Sequence, residues 1–222
     1  AIRRELGDRR GVAASLNCLG LVDSDEDDYP ADRACFTQSL AIIQDFGDLW
    51  GIAMTVSFLG TVTCMEGNYP AAQALYEESL TIFRKLGDRV GAASALGSLA
   101  RVARSKGDYL GARARYRESL AIRREVGDRQ GVVASLTGLA YVALALGLPG
   151  PAARILGGVE RLREEMHMPR LPKERPDHER IVAAARVALG GDAAFDRDWQ
   201  EGCAMTLEQA IALALEETVE RG

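Results

Sequence analysis

The fold is decided by residues 87–131, which read GDRVGAASALGSLARVARSKGDYLGARARYRESLAIRREVGDRQG. The stretch begins and ends with the same signal, a Gly-Asp pair whose aspartate is followed three residues later by another glycine. This signal recurs every 40 residues, at 7–11, 47–51, 87–91 and 127–131. A fixed period of this length indicates copies of one supersecondary unit stacked along the chain.

Other residues carry the same period. They are the Ser-Leu pairs at 39–40, 79–80 and 119–120, then Tyr29, Tyr69 and Tyr109, and the identical segments 1–5 and 121–125. Within each unit, apolar residues recur at spacings of three and four, which predicts two helices. In the third unit the predicted buried faces are Ala92, Leu96, Leu99 and Val102 on the first helix, and Ala112, Tyr116 and Leu120 on the second.

The residues between the helices have the chemistry of helix ends. Gly47, Gly87 and Gly127 stand where a helix must end in a left-handed residue, and the aspartate after each is a good N-cap for the next helix. Gly67, Gly107 and Gly147 are expected to do the same inside each unit, and Pro30 and Pro70 to occupy the first turn of the second helix. Helix ends therefore account for the glycines in this interpretation.

Two units carry a family resemblance. The second contains Leu59-Gly60, Gly67-Asn68-Tyr69, Ala72, Tyr76 and Leu80, and the third contains Gly107-Asp108-Tyr109, Ala112, Tyr116 and Leu120. This series resembles the tetratricopeptide repeat, in the 40-residue form found in bacterial regulators and kinesin light chains. The resemblance implies an all-α fold, a right-handed superhelical solenoid of helix pairs with a C-terminal helical cap, because one pair cannot bury its apolar face alone.

The domain boundaries follow from the positions of the 40-residue repeats in the sequence. Residues 1–168 are predicted to form the solenoid, with a truncated first unit and repeats at 11–50, 51–90, 91–130 and 131–168. Residues 169–222 are predicted to form a linker and C-terminal capping helices. The start in the middle of a unit suggests a piece excised from a longer protein.

The C-terminal region has its own pattern. Pro169, Pro172 and Pro176 interrupt a charged linker, and helical spacing follows from about Glu179 to Leu189. A short segment with Phe195 and Trp199 comes next, and Thr206 with Gln209 predicts a capping box for a last helix to about Glu220.

Three stretches resemble the end of the sensor domain in large bacterial regulators: 153–157, the linker RPDHER at 175–180, and 199–202 leading to 205–210. Those proteins usually carry a nucleotide-binding ATPase module before the repeats and sometimes a LuxR-type DNA-binding domain after them. The resemblance implies that this chain is the sensor part of a signalling or transcriptional regulator.

The composition and the absence of known motifs argue against several classes of protein function. A net charge of −5 disfavours a domain that holds nucleic acid by neutralising phosphates. Four widely spaced cysteines indicate reduced thiols in a cytoplasmic protein, and no apolar run is long enough to span a membrane. No catalytic, nucleotide-binding or metal motif is present, and His167 and His178 are interpreted as solvated linker residues. We therefore expect no enzyme and no cofactor.

The acidic run at 23–28 allows two interpretations. Asp23, Asp25 and Asp27 match positions of a calcium-binding loop, but Asp28 stands where that loop needs glycine and Ala34 where it needs glutamate. The favoured interpretation is a solvated turn that is looser than the turns of the other units.

The resemblance also implies that the first helix of each unit lines a concave groove. The candidate partner-binding residues are Asn17, Met54, Phe58, Thr61, Met65, Arg101, Arg104 and Tyr141. Methionine and phenylalanine adapt to varied apolar partners, and Arg101 with Arg104 could clamp a carboxylate or phosphate. The alternative is ordinary packing between repeats with a solvated arginine face. Arg113, Arg115 and Arg117 are assigned to the convex side as solubilising residues.

The predicted function is a protein-interaction or sensor module that binds a peptide, a partner domain or a small effector. The alternative is a stand-alone oligomerisation scaffold. A homodimer through residues 1–6, at the open N-terminal end, is a separate expectation.

Overall fold

The computed structural model describes residues 8–21 and 29–216, and this part of the chain is all-helical. It contains eleven α-helices and one short 3₁₀ segment, Pro172–Glu174. The helices are α1 Arg9–Leu19, α2 Tyr29–Asp45, α3 Leu49–Met65, α4 Tyr69–Leu86, α5 Arg89–Ser105, α6 Tyr109–Glu125, α7 Arg129–Ala145, α8 Pro149–Glu165, α9 Arg175–Ala188, α10 Asp192–Ala204 and α11 Leu207–Leu215. The predicted all-α class of consecutive helix pairs is confirmed.

The capping predictions are confirmed at the start of the first helices. Asp48 Oδ1 accepts the Gly51 backbone N–H at 3.0 Å, and Asp88 does the same for Gly91 at 2.9 Å. The turn glycines have left-handed backbones, with φ between 64° and 80° from Gly47 to Gly147. Because both signals act within a few residues, the helix boundaries could be predicted from the sequence.

The chain divides into two compact units that are larger than one repeat, called unit 1 (residues 1–106) and unit 2 (residues 107–222). In unit 1, the recurring serines join the two helices of a pair. Ser39 Oγ donates to Ala13 O, and Ser79 Oγ donates to Ala53 O, both at 2.9 Å. Each buried hydroxyl thus has a backbone acceptor on the neighbouring helix, which explains the repeated serine.

Rings pack closely on glycines both within these helix pairs and between consecutive pairs. A Cβ atom on Gly60 would lie 2.9 Å from the ring of Tyr76, and one on Gly20 would lie 2.7 Å from the ring of Phe36. A Cβ on Gly91 would lie 2.4 Å from the Phe83 ring. The expectation that helix ends account for the glycines is therefore wrong at Gly60 and Gly91, where the missing side chain makes room for a ring. Gly20 is the C-cap of α1 and also makes room for a ring.

In unit 2, the helices α8 and α10 approach each other closely. A Cβ on Gly157 would lie 2.3 Å from Trp199 O, and one on Gly202 would lie 2.1 Å from Arg154 O. The stretches 153–157 and 199–202, which carry the resemblance to bacterial regulators, therefore form one contact between two helices. Both glycines are needed because backbone atoms occupy the space of a side chain.

Arginines close the C-terminal ends of α10 and α11. Arg161 Nη1 donates to Cys203 O at 3.3 Å and to Met205 O at 3.1 Å. Arg117 Nε donates to Ala214 O at 3.2 Å, and its Nη2 donates to Glu216 O. The interpretation of Arg117 as a merely solubilising residue is wrong, because it satisfies carbonyls that the end of α11 leaves without helical partners.

The predicted linker differs from the structure. The helix expected near Glu179 begins at Arg175, so that Pro176 lies in its first turn, where a missing N–H costs nothing. The segment containing Phe195 and Trp199 is the helix α10. The capping box of Thr206 and Gln209 is confirmed, with Gln209 N–H bonded to Thr206 Oγ1 at 3.2 Å.

Several expectations fall outside the described residues. They concern the open N-terminal end at 1–6, the acidic run at 23–28 and the end of the last helix near Glu220.

Candidate functional site

The first helices of unit 1 are α1, α3 and α5, and polar side chains connect them. Asn17 Nδ2 on α1 donates to Thr55 Oγ1 on α3 at 3.0 Å. Thr55 in turn donates to Gly51 O at 2.9 Å. Asn17 Oδ1 is buried and has no hydrogen-bond partner among the described residues.

A second chain of hydrogen bonds joins α3, α4 and α5. Arg101 Nη2 donates to Tyr76 Oη at 3.3 Å, and Tyr76 Oη lies 3.0 Å from Thr61 Oγ1. Thr61 donates to Ser57 O at 3.2 Å. Because arginine can only donate, Tyr76 accepts from Arg101 and donates to Thr61, and each hydroxyl proton is used once. These hydrogen bonds connect the exposed residue Arg101 to the fully buried Tyr76.

The apolar candidates of α3 differ in exposure. Phe58 is half-buried, and its ring centroid lies 5.3 Å from that of Phe36, within the cluster of Leu59 and Val62. Met65, at the end of the helix, is 56% exposed. Phe58 therefore contributes to the core, whereas Met65 leaves most of its surface open to solvent.

The remaining candidates occupy the predicted helices. Met54 is half-buried on α3, and Arg104 is half-buried in the last turn of α5. Tyr141 is half-buried on α7 of unit 2. The structure thus joins Thr61 to Arg101 through Tyr76, and Asn17 to Thr55.

Sequence reasoning missed the positioning role of Tyr76, which it treated only as a mark of the repeat. The signal was present, because a tyrosine at a buried position needs a partner for its hydroxyl. It also missed Trp50, which is 52% exposed and donates from Nε1 to Asp88 Oδ2 at 2.9 Å. Asp88 therefore caps α5 with one oxygen and holds the indole with the other.

Other chemistry is sparse in the described part of the chain. It holds no group of three or more His, Cys, Asp or Glu side chains placed to bind a metal ion. Burial raises the pKa of the Cys203 thiol, with smaller contributions from Glu164 and Glu160, so thiolate formation is disfavoured. In the same residues no helix is both long and apolar enough to cross a membrane.

Consecutive helix pairs with capped turns and ring-on-glycine contacts define the class of α-helical repeat proteins. Residues 51–125 and 91–165 match the tetratricopeptide repeat family, and together these matches cover just over half of the chain. The chain belongs to this family. Repeats of the tetratricopeptide family generally mediate contacts between proteins, and they are typically non-catalytic.

Two solved structures show the same fold. BtubC (BKLC) from P. vanneervenii is 15% identical with a TM-score of 0.62, over 96% of this chain and 91% of that chain. A putative kinesin light chain from Podosopora anserina with nearly identical TPR-like repeats is 18% identical with a TM-score of 0.55, over 94% of each chain. No curated protein sequence matches the chain.

Proposed function

We propose that unit 1 binds a partner protein on the face formed by α1, α3 and α5. The observation that carries this proposal is the hydrogen-bond chain from Arg101 through Tyr76 to Thr61. It holds a cation beside an apolar helix face, because Phe58 and Met65 lie three and four residues from Thr61 on α3. A partner segment with apolar side chains and a carboxylate fits this combination.

The groove supplies adaptable and directional contacts together. Met54 and Met65 are unbranched and can adjust to different apolar side chains. Arg101, with Arg104 one turn further along α5, offers a charge-assisted hydrogen bond to a carboxylate. Asn17 on α1 is the remaining proposed contact residue of this face, and Tyr141 on α7 is a separate proposed contact residue of unit 2.

Charge reversal tests this proposal. Proteins captured from cell extract by the wild-type chain are compared with those captured by the Arg101→Glu, Arg104→Glu double variant, using quantitative mass spectrometry. Lys85→Glu, an exposed lysine of α4, makes a charge reversal in the same unit and serves as the control. The partner is retained by the wild type and by Lys85→Glu and lost from the double variant. If every captured protein binds all three chains equally, the site is not on this face.

We also propose that the module is the sensor arm of a cytoplasmic bacterial regulator. The contact between Gly157 and Trp199 supports this proposal, since it lies in the stretches that resemble such regulators. Genomic sequence on both sides of the coding segment tests it directly. An ATPase or DNA-binding domain in the same reading frame is the expected finding, and a lone repeat domain contradicts it.

Self-association through residues 1–6 is a separate proposal. It would also support the alternative function, a stand-alone oligomerisation scaffold. Light scattering of this chain and of a variant that lacks residues 1–6 tests this proposal. A dimer that becomes a monomer without residues 1–6 supports pairing through this segment, whereas a dimer in both cases contradicts that pairing and a monomer in both cases contradicts self-association.

A further inference from the structure

A cleft lies between α9 and α10 of unit 2. Its volume is about 480 Å³, within the roughly 300–1,000 Å³ of small-molecule sites. His178 and Val182 line it from α9, and Phe195, Trp199 and Gln200 line it from α10. It therefore has the size and the mixture of apolar and polar groups of a ligand site.

Aromatic rings form one wall of the cleft. The ring centroids of Phe195 and Trp199 are 5.4 Å apart, and those of His178 and Trp199 are 6.4 Å apart. Phe195 is 1% exposed and fixes the position of the wall, whereas Trp199 and His178 are half-buried and keep part of their surface accessible. A planar ring is the ligand shape that contacts such surfaces best.

The charges at the rim do not favour an anion. Arg186 lies over the Phe195 ring, with its guanidinium carbon 4.8 Å from the centroid. Its nitrogens lie 3.2 Å from Asp192 and 3.6 Å from Asp196. Two carboxylates thus offset one guanidinium, so the rim offers no excess positive charge to a phosphate or carboxylate.

His178 provides a polar edge. Burial lowers its pKa from the ordinary value of 6.5, and Arg170 and then Arg163 lower the pKa further, whereas Glu160 and Glu179 raise it. The imidazole is therefore neutral at pH 7 and has one donor and one acceptor nitrogen. Gln200, exposed on α10, can also donate and accept.

We propose that this cleft is a binding site for a small, neutral heteroaromatic molecule, whose ring lies against Trp199 and whose edge hydrogen-bonds with His178 and Gln200. The proposal is independent of the partner face in unit 1. It assigns a small-effector site to the C-terminal helices.

The two tryptophans of the chain, Trp50 and Trp199, make the test specific. Nuclear magnetic resonance follows the two indole N–H signals at pH 7.5, assigned with Trp50→Phe. Adenine and benzimidazole are the neutral heteroaromatic probes, and benzoate and cyclohexanol are the anionic and saturated controls. We expect at least one heteroaromatic probe to shift the Trp199 signal saturably and to leave Trp50 unchanged. The proposal is overturned if neither heteroaromatic probe does so, or if the controls act equally.

Variants on α9 locate the bound probe. Val182→Phe fills the cleft and is expected to weaken binding by about tenfold or more, because the ligand then meets occupied space. Val187→Phe adds the same ring at an 81% exposed position of α9 and should leave binding unchanged. His178→Phe keeps a ring and removes both nitrogens, so a loss of about fivefold is expected. Equal binding by all three variants would contradict the site.

Discussion

Arg101 donates a hydrogen bond to the phenolic oxygen of Tyr76, which is completely buried beside Gly60. A residue of the exposed helix face is thus anchored to the core of the neighbouring helix pair. The anchor restricts the guanidinium before any partner arrives, which lowers the entropic cost of binding.

Tyr76→Phe tests this anchor, because it removes the hydroxyl and keeps the ring on Gly60. We expect the free energy of unfolding in urea to fall by about 0.5–1.5 kcal/mol, the net value of a typical hydrogen bond. Affinity for the captured partner should fall as well. Tyr76→Ala is the contrasting variant, with an expected loss of roughly 3–5 kcal/mol because it also leaves a cavity. Equal losses for the two variants would show that the hydroxyl, and not the ring, carries the stability.

Adjacent glycines on α8 provide a matched pair. A Cβ on Gly157 would lie 2.3 Å from the backbone oxygen of Trp199, whereas one on Gly158 would lie 3.3 Å from its nearest neighbour, Ala210 Cβ. We expect Gly157→Ala to cost about 1–3 kcal/mol, because α10 must move away. Gly158→Ala should be close to neutral, because the tight contact with Ala210 Cβ offsets the better helix propensity of alanine, which is about 1 kcal/mol. Thermal unfolding of both variants measures the difference, and a tolerated Gly157→Ala would argue against the close helix approach.

Arg117 is predicted to hold the end of α11. Arg117→Met removes the donors to Ala214 O and Glu216 O but keeps an unbranched side chain. We expect a loss of about 0.5–2 kcal/mol in the local stability of α11, seen as faster amide hydrogen exchange there. Arg115→Met is the control, because Arg115 donates to Gly111 O in its own helix. Unchanged exchange in α11 for Arg117→Met would contradict the capping role.

Protonation of His178 should destabilise unit 2. Its folded-state pKa is lowered by burial first and by Arg170 and Arg163, against the raising effects of Glu160 and Glu179. Below the ordinary pKa of 6.5 the unfolded chain therefore binds the proton more readily than the folded chain. The contribution of His178 to the free energy of unfolding is therefore fully present above pH 6.5, and it is lost as the pH falls towards the lowered pKa.

Urea unfolding at pH 7.5 and pH 5.5 measures this effect. The wild type should lose more stability on acidification than His178→Phe, which cannot titrate at that position. Val187→Phe adds a ring at an 81% exposed position of α9, removes no titratable group and serves as the control, with the pH dependence of the wild type expected. An identical pH dependence for the wild type and His178→Phe would exclude a contribution from this residue.

The sequence predicted the helices well, because the signals involved act over a few residues. Asp48 and Asp88 cap helices that begin at the next residue, and Gly47 and Gly87 end the helices before them. The prolines were harder to interpret. Pro176 was expected to interrupt a linker, but it lies in the first turn of α9, because proline is tolerated at a helix start as readily as in a loop.

The candidate face was predicted in part. Arg101 and Thr61 were identified from the repeat register, but the hydroxyl of Tyr76 that connects them was not. Its partners lie 15 and 25 residues away, on other helices. The same limit applies to His178, which was interpreted as solvated because its contact with Trp199 joins two different helices.

The sequence by itself determined the 40-residue period, the helix ends and the family, since capping, left-handed glycines and apolar spacing are local properties of the chain. Only the tertiary structure decided which glycines admit a neighbouring backbone, which arginine closes α11 and which rings line the cleft. These contacts join residues far apart in the sequence, such as Arg117 and Ala214, 97 positions apart. They depend on how helices are placed in space, and no local rule specifies that placement.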